Sequence, residues 1–284
     1  MKKYFLLFAM AAGLYACSSV PITGRQQLNL VSDDEVLSLS LQQYNDYIQT
    51  AKKSTDKTAT ALVEKVGRKI ADAVEAYFAA TNQTQLIAGY QWEFNLVNDS
   101  QVNAFCMPGG KIVVYTGILP YTKDETGLAV VLGHEVGHAI AKHANERMSQ
   151  QMAAQYGSAA VNALLSKSSS TVQSVGSVVY GLGAEVGVML PFNRKQELEA
   201  DHLGLILMAI AGYDPNTAIP FWERMSQQGN NGTFEFLSTH PSDATRIAEI
   251  RKELPEATEY YQTVNGKKNT TTPSGSNTNN QWRF

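Results

Sequence analysis

The sequence predicts an α+β fold, mostly helical, with a small antiparallel sheet beside one long uncharged helix. Three observations carry this. Apolar residues recur at helical spacing over most of the chain, the stretch from Trp92 to Tyr115 switches to strand-like runs, and the helix after it has uncharged flanks at Val130 to Gly133 and Ala139 to Ala141. With 284 residues, 44% of them hydrophobic and 17% charged, the chain has material for a core. Its 23 basic residues against 26 acidic ones, without a Lys/Arg block, exclude the electrostatic footprint of a nucleic-acid binder.

The first residues read as an address. Lys2 and Lys3 precede an apolar stretch from Tyr4 to Ala16, too short to span a membrane, followed by Ser18 and Ser19. Leu14-Tyr15-Ala16-Cys17 resembles the lipobox of bacterial lipoproteins, which makes Cys17 the acylated first residue of the mature chain. Cys106 is then the only other cysteine, so no disulfide framework exists. Without thiol-activating neighbours, Cys106 reads as a small buried hydrophobe.

Each element has its own signal. Ser32 and Glu35 form a capping box for a helix from Asp33 to Thr50, and Val63, Val66, Ile70, Val74 and Tyr77 mark the buried stripe of a second. Trp92, Phe94 and Leu96 alternate with polar residues; Val102–Cys106 and Lys111–Tyr115, separated by Met107-Pro108-Gly109-Gly110, predict a hairpin. Thr122 and Glu125 read as a second capping box, opening a helix through Arg147. Another helix spans Arg194 to Ala211 and stops at Gly212; Asp214-Pro215 starts the next. Residues 156–190, rich in Gly, Ala, Ser and Val, read as a loosely packed helical excursion. The tail from Val264 has too little apolar material to offset its ordering entropy.

The chemistry lies on the long helix. His134-Glu135-Val136-Gly137-His138 is H-E-x-x-H, whose histidines, four apart, share one helical face and can grip one metal ion, with Glu135 beside it. From the chain's own 5 His and 16 Glu, about 0.005 chance matches are expected, so accident is a weak explanation. A catalytic zinc takes three protein ligands and keeps a position for water. Ala141 and Ala144 stand where a metzincin needs Gly and His. His143, half a turn away on a continuous helix, reads as a surface residue. Glu197 and Asp201 share a helical face, so Glu197 is taken as the third ligand and Asp201 as acceptor for a ligand imidazole; Glu199 points about 200° away.

His134-Glu135-Val136-Gly137-His138, then Arg194 through Glu197-Leu198-Glu199-Ala200-Asp201, then Ser238-Thr239-His240-Pro241 with Arg246 resemble, in that order, the metallopeptidases that include the CaaX prenyl protease and the HtpX heat-shock protease. The resemblance runs from Leu28 to Glu253 and is best to the periplasmic lipoprotein branch of BepA and LoiP type. It implies a gluzincin-like zincin with one zinc per subunit that cleaves misfolded or misassembled envelope proteins. It also implies that Asn103, Ala104 and Phe105, with Pro108-Gly109-Gly110, form an edge strand that holds substrate by strand addition.

The domain reading is a signal segment 1–16, a lipidated linker 17–31, a peptidase domain 32–262 and a disordered tail 263–284. The expected location is the bacterial envelope, anchored by lipid at the outer membrane and facing the periplasm. Glu135 is expected as general base and acid. His240 or Arg246 is expected to stabilise the oxyanion, and by resemblance His240 can instead occupy the open zinc position. The competing class is a non-proteolytic envelope chaperone that keeps zinc for structure; a general base at Glu135 argues against it. The sequence carries no signal for oligomeric state.

Overall fold

A computed structural model describes residues 17–165, 194–227, 236, 240 and 244–269. β1 (Cys17–Ser19) and β2 (Gln26–Leu28) pair antiparallel, with Cys17 opposite Leu28. The segment read as a linker therefore carries structure, and Val20 between the strands is buried in the main core. The sixteen residues of the address lie outside the described residues. α1 (Asp33–Thr50) starts as read, the Ser32 hydroxyl accepting from the Glu35 N–H. α2 (Lys57–Ala80) is capped by the Asp56 carboxylate, and its stripe of Val63, Val66, Ile70 and Val74 is fully buried.

The sheet holds β3 (Glu93–Val97), β4 (Ala104–Met107) and β5 (Lys111–Tyr115) in the order β3-β5-β4. β4 and β5 form the expected antiparallel hairpin, but β3 runs parallel to β5, so the sheet is mixed rather than wholly antiparallel. The 98–103 connection carries the chain past the position that β5 later fills. β3 and β4 thus flank β5, and among the described residues β4 is left as an edge.

α3 (Leu119–Thr122) is a single turn closed by the Thr122 hydroxyl donating to Leu119 O. Thr122 is therefore not the cap of the metal-bearing helix; Asp124 is, accepting from the Gly127 N–H. That helix, α4 (Glu125–Ile140), is also shorter than expected. Lys142 adopts φ 57°, which ends it, and a new helix, α5 (His143–Leu165), leaves in another direction. Of the excursion at 156–190, residues 156–165 continue α5 and the rest lie outside the described residues.

α6 (Arg194–Ile210) ends near Gly212, whose φ of 86° favours glycine. Asp214 caps a 3-10 turn that leads into α7 (Ala218–Ser226). α8 (Ala244–Asn269) continues past Val264, where the tail was expected to begin, because buried Val264 extends the packed face of Ile250 and Ala257.

α4 is the centre of the molecule, packed by α6, α2 and β4, with every residue from Gly127 to Ile140 buried. Its uncharged flanks are the sequence's record of that position. Against α6 it packs backbone to backbone. A Cβ on Gly204 would stand 2.8 Å from the His134 nitrogen, and one on Gly137 2.8 Å from the Ala200 carbonyl. Those glycines bring the two metal-facing helices into contact. Among the described residues no helix is long and apolar enough to cross a membrane.

Candidate metal centre

α4 presents His134 and His138 on one face, four residues apart, and α6 lies against that face with Glu197 directed between them. His240, before the start of α8, is the fourth group. The four are buried and offer one donor atom each, all within 4.8 Å of one another. Nε2 of His138 is 3.1 Å from Nε2 of His134, and His240 Nδ1 is 3.2 Å from His134 Nε2 and 3.0 Å from Glu197 Oε1. The Glu197 oxygens are 3.5 Å and 3.3 Å from the His134 and His138 nitrogens. Zinc bonds of about 2.0–2.1 Å in a tetrahedron require donor separations of about 3.3 Å. Three imidazoles and a carboxylate at these spacings fit zinc in both chemistry and size.

His134 and His138 are each held from behind. His134 Nδ1 is 2.9 Å from Asp201 Oδ1, the carboxylate–histidine arrangement that fixes an imidazole's tautomer. Arg246 grips Asp201 with Nε at 2.6 Å and Nη2 at 2.7 Å, while its Nη1 lies 3.1 Å from Glu197. Its guanidinium stands 3.7 Å over the Trp222 ring. Arg246 is thus paired with the carboxylates of both Asp201 and Glu197. Glu135 is buried, and its Oε1 accepts no hydrogen bond among the described residues; His240 Nε2 is 3.6 Å from it.

Burial raises Glu197, but the imidazoles of His134, His138 and His240 outweigh it and hold the carboxylate far below its usual range. Burial pushes His138 well down, so it stands neutral. Burial and Arg246 push His134 down as well, yet Asp201 and Glu197 reverse this and bring it to about 9. Metal entry must displace that proton. Burial raises Glu135, which keeps its carboxyl closer to a poised base. Burial also raises the Cys106 thiol, in line with a packing residue rather than a nucleophile.

One assignment on the neighbouring helices changes. His143 is not a surface residue: its side chain is fully buried, and Nδ1 lies 2.7 Å from His138 Nδ1. The half-turn argument assumed one continuous helix, and the break at Lys142 swings His143 beneath His138. Glu199 is likewise buried, 3.0 Å from His143 Nε2, on the far side of α6 from Asp201. The sequence offered no signal for either, because both depend on a positive φ at a lysine. Of the proposed edge, Ala104 and Phe105 lie in β4, and Asn103 precedes it with its side chain accepting from the Ala104 N–H.

A family model described as Peptidase family M48 matches residues 60–254. A relative named Mitochondrial metalloendopeptidase OMA1, from Schizosaccharomyces pombe, is 36% identical over 244 residues, 84% of this chain and 66% of its own. Its namesake from Saccharomyces cerevisiae is 35% identical over 208 residues, 70% and 57% of the two chains. The Beta-barrel assembly-enhancing protease of Escherichia coli is 28% identical over 164 residues, 56% and 34%. This chain thus spans between a third and two thirds of the length of these relatives.

The relatives with the higher identity are mitochondrial enzymes, not periplasmic lipoproteins. They overturn the expected placement in a bacterial envelope. That placement rested on the short N-terminal segment and on the resemblance to the BepA and LoiP branch. Cys17, expected as the acylated residue, opens β1. What the site and the comparisons establish together is the family: the chain belongs to peptidase family M48, whose members are zinc-dependent metallopeptidases.

Proposed function

We propose that this chain is a zinc endopeptidase of protein quality control, cleaving unfolded or misassembled proteins in extended form. The observation that carries it is Glu135, a buried carboxylate with an oxygen free of hydrogen bonds among the described residues, beside a zinc-compatible donor set. In the proposed assignment His134, His138 and Glu197 hold the metal. A bound zinc supplies Lewis acidity there, toward a water and toward the scissile carbonyl. Glu135 takes the water's proton and delivers it to the leaving amine. Asp201 and Arg246 keep His134 oriented throughout. β4 supports an endopeptidase reading because an edge strand recognises backbone, and so accepts any extended segment without regard to its sequence. His240 is proposed as a latch: its Nδ1 completes the four-donor set, a position that water needs for hydrolysis.

That same fourth donor favours one other reading, a zinc-stabilised chaperone, because closed four-ligand sites are structural. The experiment is cleavage of casein by purified protein, with zinc content measured in parallel. Endopeptidase activity that is lost in a zinc-replete Glu135→Gln variant supports the enzyme; zinc-replete wild-type protein without cleavage, even as His240→Ala, supports the chaperone.

A further inference from the structure

Behind His138 runs a second chain of polar groups, buried at His143, Glu199, Glu146 and Gln196, that the catalytic reading does not use. With Nε2 of His138 facing the metal, its Nδ1 carries the proton and donates to His143 Nδ1, 2.7 Å away. That fixes His143 as the other tautomer, whose Nε2–H donates to Glu199 Oε2 at 3.0 Å. Glu199 is also held by Arg25 Nε at 2.7 Å and by the Thr23 hydroxyl. Arg25 then reaches Glu146 through both terminal nitrogens, each at 2.8 Å, and Gln196 donates to the same carboxylate at 2.7 Å. Every donor in this series meets an acceptor, and the series runs in one direction from imidazole to carboxylate. Its far end comes from the turn between β1 and β2, ahead of the segment 60–254 that the family model matches.

We propose that His143, Glu199 and Arg25 are positioning residues that orient His138 toward the metal, so that docking of the N-terminal hairpin sets zinc affinity. The proposal rests on the reading of His138 as a ligand. A metal-bound imidazole is oriented by what its other nitrogen donates to, and removing such a partner costs about 10- to 100-fold in affinity. Asp201 serves His134 in this way through one carboxylate. At His138 the Nδ1 meets His143, which passes the hydrogen bond on to Glu199. Two hydrogen bonds in series transmit orientation only while every member is fixed. Arg25, bridging carboxylates on α5 and α6, fixes the last of them.

The test is zinc affinity of the full chain, measured by competition with a chromophoric chelator, alongside the unfolding midpoint of each zinc-free protein. His143→Ala and Glu199→Ala are expected to bind zinc about 10- to 100-fold more weakly. Arg25→Ala should follow with a smaller loss. His143→Gln should recover most of the affinity, because its amide accepts from one side and donates to the other. Glu125→Ala, which removes the ion pairs to Lys65 and Lys69 far from this series, reports what a merely structural loss does and should leave zinc affinity unchanged. Wild-type affinity in His143→Ala and Glu199→Ala, with affinity lost in His138→Ala, would overturn the relay and leave the metal site standing. Wild-type affinity in His138→Ala itself would remove the ligand reading and the relay with it. Weakening in Glu125→Ala equal to that in Glu199→Ala would also overturn the proposal. If His143→Ala does not fold, Glu199→Gln and Arg25→Ala carry the same comparison.

Discussion

His240 is the residue whose position says most about how the site is controlled. Its Nδ1 sits at hydrogen-bond distance from both Glu197 and His134, and its Nε2 lies near Glu135. In that position the imidazole both completes the donor set and crowds the base. His240→Ala is therefore expected to raise basal casein cleavage by about 10-fold, whereas an oxyanion donor would lose about 100-fold or more on removal. Asp201→Ala is expected to weaken zinc binding by about 10- to 100-fold, because His134 loses the acceptor behind its Nδ1 and Arg246 loses its carboxylate. Equilibrium zinc titration checks this, and unchanged affinity would place the control of His134 elsewhere. At this scale the sequence showed the metal face well: H-E-x-x-H and the Glu197/Asp201 spacing each follow from helical periodicity alone. It did not show what stands behind His138, since His143 and Glu199 meet only because the backbone turns at Lys142.

Among elements, the contact between α4 and α6 decides whether the donors converge. Gly204 and Gly137 let the two backbones touch, and a methyl on Gly204 would stand 2.8 Å from a backbone nitrogen that cannot move aside. In an isolated helix Gly→Ala gains about 1 kcal/mol. Here the clash separates the helices, so Gly204→Ala is expected to destabilise by about 1–3 kcal/mol net and to weaken zinc binding. Urea unfolding with zinc titration measures both, and a stabilised variant would contradict the close approach.

The N-terminal turn of α4 is tied to α2 by Glu125, which meets Lys65, Lys69 and the Tyr213 hydroxyl. Burial raises its carboxyl, but Lys65, Tyr213 and Lys69 bring it down to about 2. A depressed folded value means stability that is full above about 4.5 and lost as pH falls toward 2. Glu125→Gln should thus cost at most about 1 kcal/mol at pH 7, for a partly exposed network. That difference should close between pH 4.5 and 2 in chemical unfolding; a difference that widened on acidification would reverse the sign. The Ser32 cap, the buried stripe of α2 and the β4–β5 hairpin were legible in local spacing. The parallel pairing of β3 with β5 was not, because register between distant strands is set by packing on α2 and α4 rather than by nearby residues.

For the whole molecule, one central helix gathers candidate metal donors from its own face, from α6 and from the approach to α8, and a sheet edge lies alongside. The family and the metal were legible because their chemistry needs particular residues at fixed spacing. Location was not, since an N-terminal address has no packing partner to constrain it, and the mitochondrial relatives set that reading aside. Hydrolysis driven by Glu135 at a zinc held by His134, His138 and Glu197 is what we propose. Its most direct measurement is casein cleavage by wild-type and Glu135→Gln protein, each assayed for bound zinc, before and after chelation and zinc return. Gln keeps the size of Glu but cannot take the proton. One zinc in both proteins, cleavage by the wild type alone, loss on chelation and recovery with zinc are expected. Wild-type turnover by zinc-replete Glu135→Gln, or cleavage that persists after the metal is removed, would contradict it.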